Sequence, residues 1–355
     1  MSKRGVSTFK VAGAYIGTVV GAGFATGQEV LQFFTRFGVM GLAGLMVTTI
    51  MFIFFGYIIM DLGKKLHANS HLEIIKYTSG NKLGTIIDLI ITFFLFGSFT
   101  AMTAGTGALV FQQFNLPFYS GSILMAVLTA ITVLTGINGV INSISIVVPF
   151  LLTAVIGTSI YSIINSTSEL TSAINLGESG LISNWFLAAV LYVSYNIILS
   201  IAVLGPLGCA AKNRKALING AVLGGLGLGL GAVMINLALS SNISEIAGLE
   251  VPMIYIAGKM SNNIQTAYAA VLIAEIYTTS VGALYGFVSR FVDINKNPGK
   301  SRLIVAVSAI AALLASQFGF SNLVKTLYPI TGYCGVVLLI ALIYSYLTSF
   351  KYKNN

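Results

Sequence analysis

Apolar residues run along this chain in long blocks, with few polar residues between them. A block of roughly 20 apolar residues is long enough to cross a bilayer as a helix. The blocks are Phe9 to Arg36, Gly38 to Leu62, Gly84 to Gln112, Tyr119 to Ile137, Ser143 to Asn165, Asn184 to Ala211, Leu217 to Ser240, Gln265 to Phe291, Leu303 to Phe318 and Leu323 to Phe350. That is about ten spans. A polar stretch, Ser166 to Ser183, separates the fifth from the sixth. The pattern predicts an all-α membrane protein, one transmembrane domain over residues 1–355, with the lipid bilayer as its surroundings.

The first block is not uniform. At its centre lies Val19-Val20-Gly21-Ala22-Gly23-Phe24-Ala25-Thr26-Gly27-Gln28-Glu29. Lipid offers no hydrogen-bond partners, so glycines, a glutamine and a carboxylate at that depth need protein or a water-filled cavity around them. Discontinuous helices that bind substrate and ion at the break are a mark of secondary transporters, often in inverted repeats. Five spans, a polar connection and five more spans predict such a repeat, about 9–165 and about 184–350. The matching break in the sixth span is expected at Ser194 to Asn196, with Pro206 bending the helix further on.

The basic residues test this segmentation. If the N-terminus is cytoplasmic, only Arg36, Lys259 and Lys325 of the 19 Lys and Arg residues fall outside. The positive-inside rule therefore favours an even number of spans with both termini cytoplasmic, in a bacterial-type plasma membrane. The chain is 56% hydrophobic and 8% charged, against about 25% charged in soluble domains. A net charge of +9 raises nucleic acid as a partner. Its placement in short loops between spans argues for topology instead, so no nucleic acid is expected.

Other features carry less. Cys209 and Cys334 sit in apolar segments and read as small hydrophobes. His67 and His71 have helical metal-ligand spacing, but no other histidine accompanies them. The glycines Gly220 to Gly231 have no strand before them and suit close helix packing. With no phosphate-binding loop and no acid–base constellation, neither a primary pump nor an enzyme is expected, and no cofactor beyond a coupling ion.

The strings Gly17-Thr18-Val19-Val20-Gly21-Ala22-Gly23 through Glu29, and Tyr195-Asn196 through Ala202-Val203-Leu204-Gly205-Pro206-Leu207-Gly208, resemble the YkvI-type family of bacterial membrane proteins. The ten-span pattern with the first string resembles the LeuT-type fold of the amino acid–polyamine–organocation superfamily. The resemblance covers essentially the whole chain. It implies a fold and a transport class, not a substrate. Where LeuT-like amino acid symporters often have a sodium-ligating Asn after the Gly-x-Gly, this chain has Phe24. That departs from one sodium site. A second is implied by hydroxyls on span eight facing carbonyls on span one; carried over, these are Thr278 and Thr279, or one residue later, with Gly17 and Val20.

The candidate substrate-binding residues are Gly21, Ala22, Gly23, Phe24, Thr26 and Gln28 in span one, Ser98 on the small polar face of span three, and Tyr195 and Asn196 in span six. The candidate ion-coupling residues are Gly17, Val20, Glu275, Thr278 and Thr279. Each has a second reading: the glycines as packing surfaces, the threonines as hydroxyls bonded to their own helix, and Glu275 as a paired structural carboxylate. Glu29 is expected to pair with Arg36, seven residues on, and Asp88 with Lys82. Residues 251–256 are too short to cross and suit an external lid. The reading is a secondary active transporter moving a small organic solute, an amino acid or related compound, by alternating access. Coupling is to sodium, or to protons through Glu275 or Glu29. The alternatives are an ion channel or uniporter, or a non-transporting receptor.

Overall fold

The backbone of the first block leaves the helix twice. A computed structural model describes residues 5–68, 71–135, 147–165, 180–292, 294 and 296–351. Helix α1 (Thr8–Val19) ends where Val20 and Gly21 are extended. A single turn, α2 (Ala22–Ala25), follows. The chain then reverses at Gly27, whose φ of 81° lies in the left-handed region that only glycine enters freely. Helix α3 (Gln28–Phe33) and a 3-10 turn (Thr35–Phe37) complete the segment. The break therefore falls at Val20–Gly21 and again at Thr26–Gly27, with Gly23 inside the short turn between them.

The remaining helices follow the apolar blocks closely. They are α4 (Val39–Leu66), α5 (His71–Phe114), α6 (Phe118–Leu134), α7 (Val147–Asn165), α8 (Trp185–Ala210) and α9 (Arg214–Ser240). Two short helices come next, α10 (Ile243–Ile246) and α11 (Pro252–Met260). The last three are α12 (Asn262–Val288), α13 (Pro298–Ser316) and α14 (Phe320–Lys351). Seven of these are long and apolar enough to cross a membrane, and α6 and the Phe150–Asn165 part of α7 are shorter apolar helices. Helix α5 turns at Gly80, with φ 69° and ψ −179°, so its polar first turns form an arm before the span proper. Lipid-facing positions are apolar, as at Leu89, Ile131, Leu303, Ile310, Leu314 and Ile340.

One expectation is corrected. The sixth span is a continuous α-helix through Ser194, Tyr195 and Asn196. The reason is local. No glycine interrupts Leu191 to Ile198, and the polar side chains are satisfied by the helix itself. Ser194 Oγ donates to the Val190 carbonyl at 2.7 Å and Asn196 Nδ2 to the Tyr192 carbonyl at 2.9 Å. The irregular feature of α8 is Pro206, inside its last turns.

The helices pack in two groups. Helix α8 lies most extensively on α4, α4 also on α9, and α9 on α1. Helix α5 packs on α12 and α6, and α13 on α6 and α5. Helix α14 bridges the groups through α8 and α5. Missing side chains make the closest crossings, as small residues do between membrane helices. A Cβ added at Gly208 would lie 2.0 Å from the Met60 carbonyl oxygen, and one at Gly63 2.1 Å from that of Gly205. On α9, a Cβ at Gly224 would lie 2.5 Å from Tyr15 and one at Gly229 2.0 Å from Thr49. The glycine run of the seventh span is thus a packing surface for α1 and α4.

Candidate functional site

Between the two groups lies a cavity of about 680 Å³. One wall is the end of α1 and the extended link after it, Gly17 to Gly23. The last carbonyls of a helix have no following helical N–H to bond; that of Ile16 accepts from the Val20 N–H at 2.8 Å, and Gly17, Thr18 and Val19 after it line the cavity. Opposite stand Glu275, Thr278 and Thr279 of α12. The approach is close: a Cβ at Gly21 would lie 3.6 Å from Thr279 Oγ1. Thr278 Oγ1 donates to the Glu275 carbonyl at 3.0 Å, which leaves its lone pairs available. Glu275 is 3% exposed, and its Oε2 has no hydrogen-bond partner among the described residues.

The far end of the cavity is aromatic and acidic. Glu29, from the first turn of α3, reaches back over the link and accepts a hydrogen bond from the Tyr195 hydroxyl at 2.6 Å. Tyr195 stacks on Tyr328 of α14 at 5.0 Å and 12°, and Phe94 of α5 meets the Tyr328 ring edge-on at 5.4 Å. Ser98 and Asn196 also line the space. Glu29 does not meet the expected Arg36, because α3 ends at Phe33 and the 3-10 turn destroys the seven-residue face alignment.

Not all candidates converge. Gly21, Ala22, Gly23, Ser98, Tyr195, Asn196, Gly17, Val20, Glu275, Thr278 and Thr279 share the cavity wall. Phe24, Thr26 and Gln28 lie elsewhere. Phe24 packs beside Gly231 of α9. Thr26 Oγ1 donates to the Gly23 carbonyl at 2.9 Å, steadying the short turn. Gln28 Nε2 donates to Ser321 Oγ at the start of α14. The sequence reading missed Phe94 and Tyr328, because an aromatic residue inside an apolar span carries no signal of which face it occupies.

The two ends of the cavity differ. At one, Asp88 accepts from Arg290 and lies 3.3 Å from His71 Nε2, which is itself 2.9 Å from Arg290 Nη2, and both residues line the mouth. Lys82, the expected partner, is not needed there. At the other, Glu29 and the stacked tyrosines line the space, while α10, α11 and their links contribute no lining residue and are tied to the first span, α5 and α14. The Met253 N–H donates to the Thr26 carbonyl at 3.1 Å, and Gln112 exchanges two hydrogen bonds with Val251. Glu250 Oε2 accepts from the Ser321 N–H at 2.6 Å and the Ser321 hydroxyl at 2.9 Å.

This arrangement has relatives. The uncharacterized membrane protein YkvI of Bacillus subtilis (strain 168) is 31% identical over 347 residues, 95% of each chain. The chain belongs to the YkvI family. The uncharacterized protein YyaD of the same organism is 31% identical over 339 residues, 95% of this chain and 96% of its own. No protein-family model matches the chain. Among solved structures, Mhp1, a nucleobase-cation-symport-1 family transporter with bromovinylhydantoin bound, superposes with a TM-score of 0.65 at 13% identity, covering 93% of this chain and 75% of that one. MhsT in complex with L-phenylalanine gives 0.61 at 16%, covering 98% and 99%. A Na+-coupled sialic acid symporter gives 0.64 at 14%, covering 95% and 79%. At these identities the likeness is one of fold. This YkvI-family chain is a multi-pass membrane protein with the LeuT-type fold.

Proposed function

We propose that this protein is a secondary active transporter that moves a small organic solute by alternating access. The observation that carries the reading is the broken first span, which opens onto a cavity large enough for a small molecule. A helix is broken at bilayer depth only where something replaces its lost hydrogen bonds. In transporters of this architecture that something is substrate and ion. Counting the broken α1–α3 segment and the shorter α6 and α7 as crossings supports ten spans in two halves of five. The basic loops then support cytoplasmic termini. In that frame the cavity reaches toward the cytoplasm, while the α10–α11 segment serves as the lid on the outer side.

Coupling is proposed at the wall shared by α1 and α12. The Gly17 and Val20 carbonyls with the Thr278 and Thr279 hydroxyls would form a hard-oxygen donor set suited to sodium. The buried, unpartnered Glu275 Oε2 supports a charge or a proton being carried there. A bound cation would supply positive charge to the end of α1. The Mhp1 structure has bromovinylhydantoin bound, MhsT is in complex with L-phenylalanine, and the third is a sialic acid symporter. That spread supports amino acids and related compounds as the first class to test, without choosing among them.

Counterflow into proteoliposomes tests transport, under a sodium gradient alone and a proton gradient alone. Sodium-driven uptake lost in Thr278→Ala supports the ion site. Proton-driven uptake lost in Glu275→Gln alone supports the carboxylate. Exchange indifferent to both gradients and both variants would mean a uniporter. Large unitary currents would mean a channel, and neither exchange nor current would overturn the transport reading.

A further inference from the structure

A transporter of this architecture needs a broken helix and a cavity, but it does not need Glu29. The turn at Gly27 folds α3 so that the Glu29 side chain returns over the link. A Cβ built on Gly23 would lie 2.0 Å from Glu29 Oε1 and 2.6 Å from Cδ. The carboxylate therefore rests on the bare Cα of Gly23, where an anionic group of a solute would otherwise meet the unwound backbone. It is 6% exposed and held by the Tyr195 hydroxyl.

The surroundings have one electrostatic sense. Glu29 and Glu275 both line the cavity. Beside Glu29 the wall is aromatic, with Tyr195 stacked on Tyr328 and Phe94 within 6.0 Å of Tyr195. The basic residues of the lining are His71 and Arg290, and both are drawn to Asp88 at the mouth. A solute carboxylate placed against Gly23 would meet the Glu29 carboxylate at van der Waals range, while the basic side chains of the lining, His71 and Arg290, are engaged at Asp88. A quaternary or primary ammonium group there would meet an opposite charge and aromatic side chains, which attract cations through the ring quadrupole. A metal ion suits the site less well. No group of three or more His, Cys, Asp or Glu that could hold a metal occurs among the described residues, and the cavity is far larger than an ion.

We infer that the transported solute is a small organic cation whose ammonium group sits against the Glu29 carboxylate, beside the aromatic side chains of Tyr195, Tyr328 and Phe94. The inference rests on the transporter reading and puts organic cations in place of zwitterionic amino acids as its substrate class.

The test uses the full chain in proteoliposomes, with choline, phenethylamine, phenylalanine and phenylpropionate as probes of different charge. Counterflow and thermal shift are measured for each. The expected result is exchange and stabilisation by choline or phenethylamine, and neither by the zwitterion or the anion. Glu29→Gln keeps an oxygen for the Tyr195 hydroxyl, so it should leave the ligand-free Tm nearly unchanged. It should weaken the ammonium probes about tenfold or more. Tyr328→Leu should weaken them by a smaller factor. Preferred exchange of phenylalanine or phenylpropionate overturns the inference and leaves the transporter reading standing. Wild-type affinity for the ammonium probes in folded Glu29→Gln does the same. Should Glu29→Gln fail to fold, the order of the probes on the wild-type protein decides. If no probe of any charge is bound or exchanged, the inference falls together with the transporter reading.

Discussion

Gly23 is a position where one absent methyl group bears directly on the proposed site. Its φ is not what demands glycine. The demand comes from the carboxylate folded onto its Cα, 2.0 Å from where a Cβ would stand. Gly23→Ala should therefore push Glu29 out of its bond with Tyr195, at an overpacking cost of about 1–3 kcal/mol. The measurement is solute binding and Tm on the purified variant; unchanged binding would mean that Glu29 has slack the cavity does not reveal. Gly13 is the matched control. It lies within α1, and a Cβ there meets nothing within 4 Å. Gly13→Ala should leave binding alone and raise stability slightly, since glycine inside a helix costs about 1 kcal/mol relative to alanine.

At the scale of the helix, the two breaks proposed from symmetry turned out unequal. The first span breaks because Gly27 alone can take a left-handed turn without strain and because α3 must fold back. The sixth stays helical because nothing in it competes with the helix. Tyr195 and Asn196 reach the cavity from an intact helix, positioned by the crossing of α8 with α4. That crossing rests on Gly63 and Gly208, each against a backbone carbonyl that cannot rotate away. Gly208→Val should separate the two helices, lowering stability by about 1–3 kcal/mol or more. Solute affinity should fall with it, although residue 208 lies outside the cavity. Thermal unfolding in detergent, followed by binding on the folded fraction, checks both. Full stability with normal binding would show that the close crossing is dispensable.

For the molecule as a whole, the proposed alternating access depends on which end is sealed. The α10–α11 segment, the lid in that proposal, is tied to three spans at once, through Met253 to Thr26, Val251 to Gln112, and Glu250 to Ser321. Gln28 joins the last of these through Ser321. Glu250→Ala removes the acceptor shared by the Ser321 N–H and hydroxyl. Losing one such charged acceptor is worth roughly 1.5–3 kcal/mol, enough to shift a two-state equilibrium several-fold or more. Ser98→Cys, in a background of Cys209→Ser and Cys334→Ser, reports this from the cavity wall. An impermeant thiol reagent on the lid side should label it faster in Glu250→Ala. Equal labelling rates would show that the lid is held elsewhere.

The sequence by itself determined the spans, because transfer into lipid depends on length and apolarity, and both are local. Each expected span edge among the described residues lies within a few residues of an observed helix end, except where the Gly80 turn carries α5 back to His71; the expected edges at Ile137 and Ser143 lie outside the described residues. It also marked the first break and the short helix after the seventh span, since glycine clusters and a short apolar run between spans are visible in one dimension. Tertiary structure decided the rest. Which face an aromatic residue presents is not written in an apolar run, so Phe94 and Tyr328 surfaced only when α5 and α14 closed on α8. Whether Glu29 pairs along its helix or across the molecule depended on the turn at Gly27 and the early end of α3. Phe24, Thr26 and Gln28 sit in the same string as Gly23, yet a break that turns twice sends neighbours in sequence to different sides of the protein.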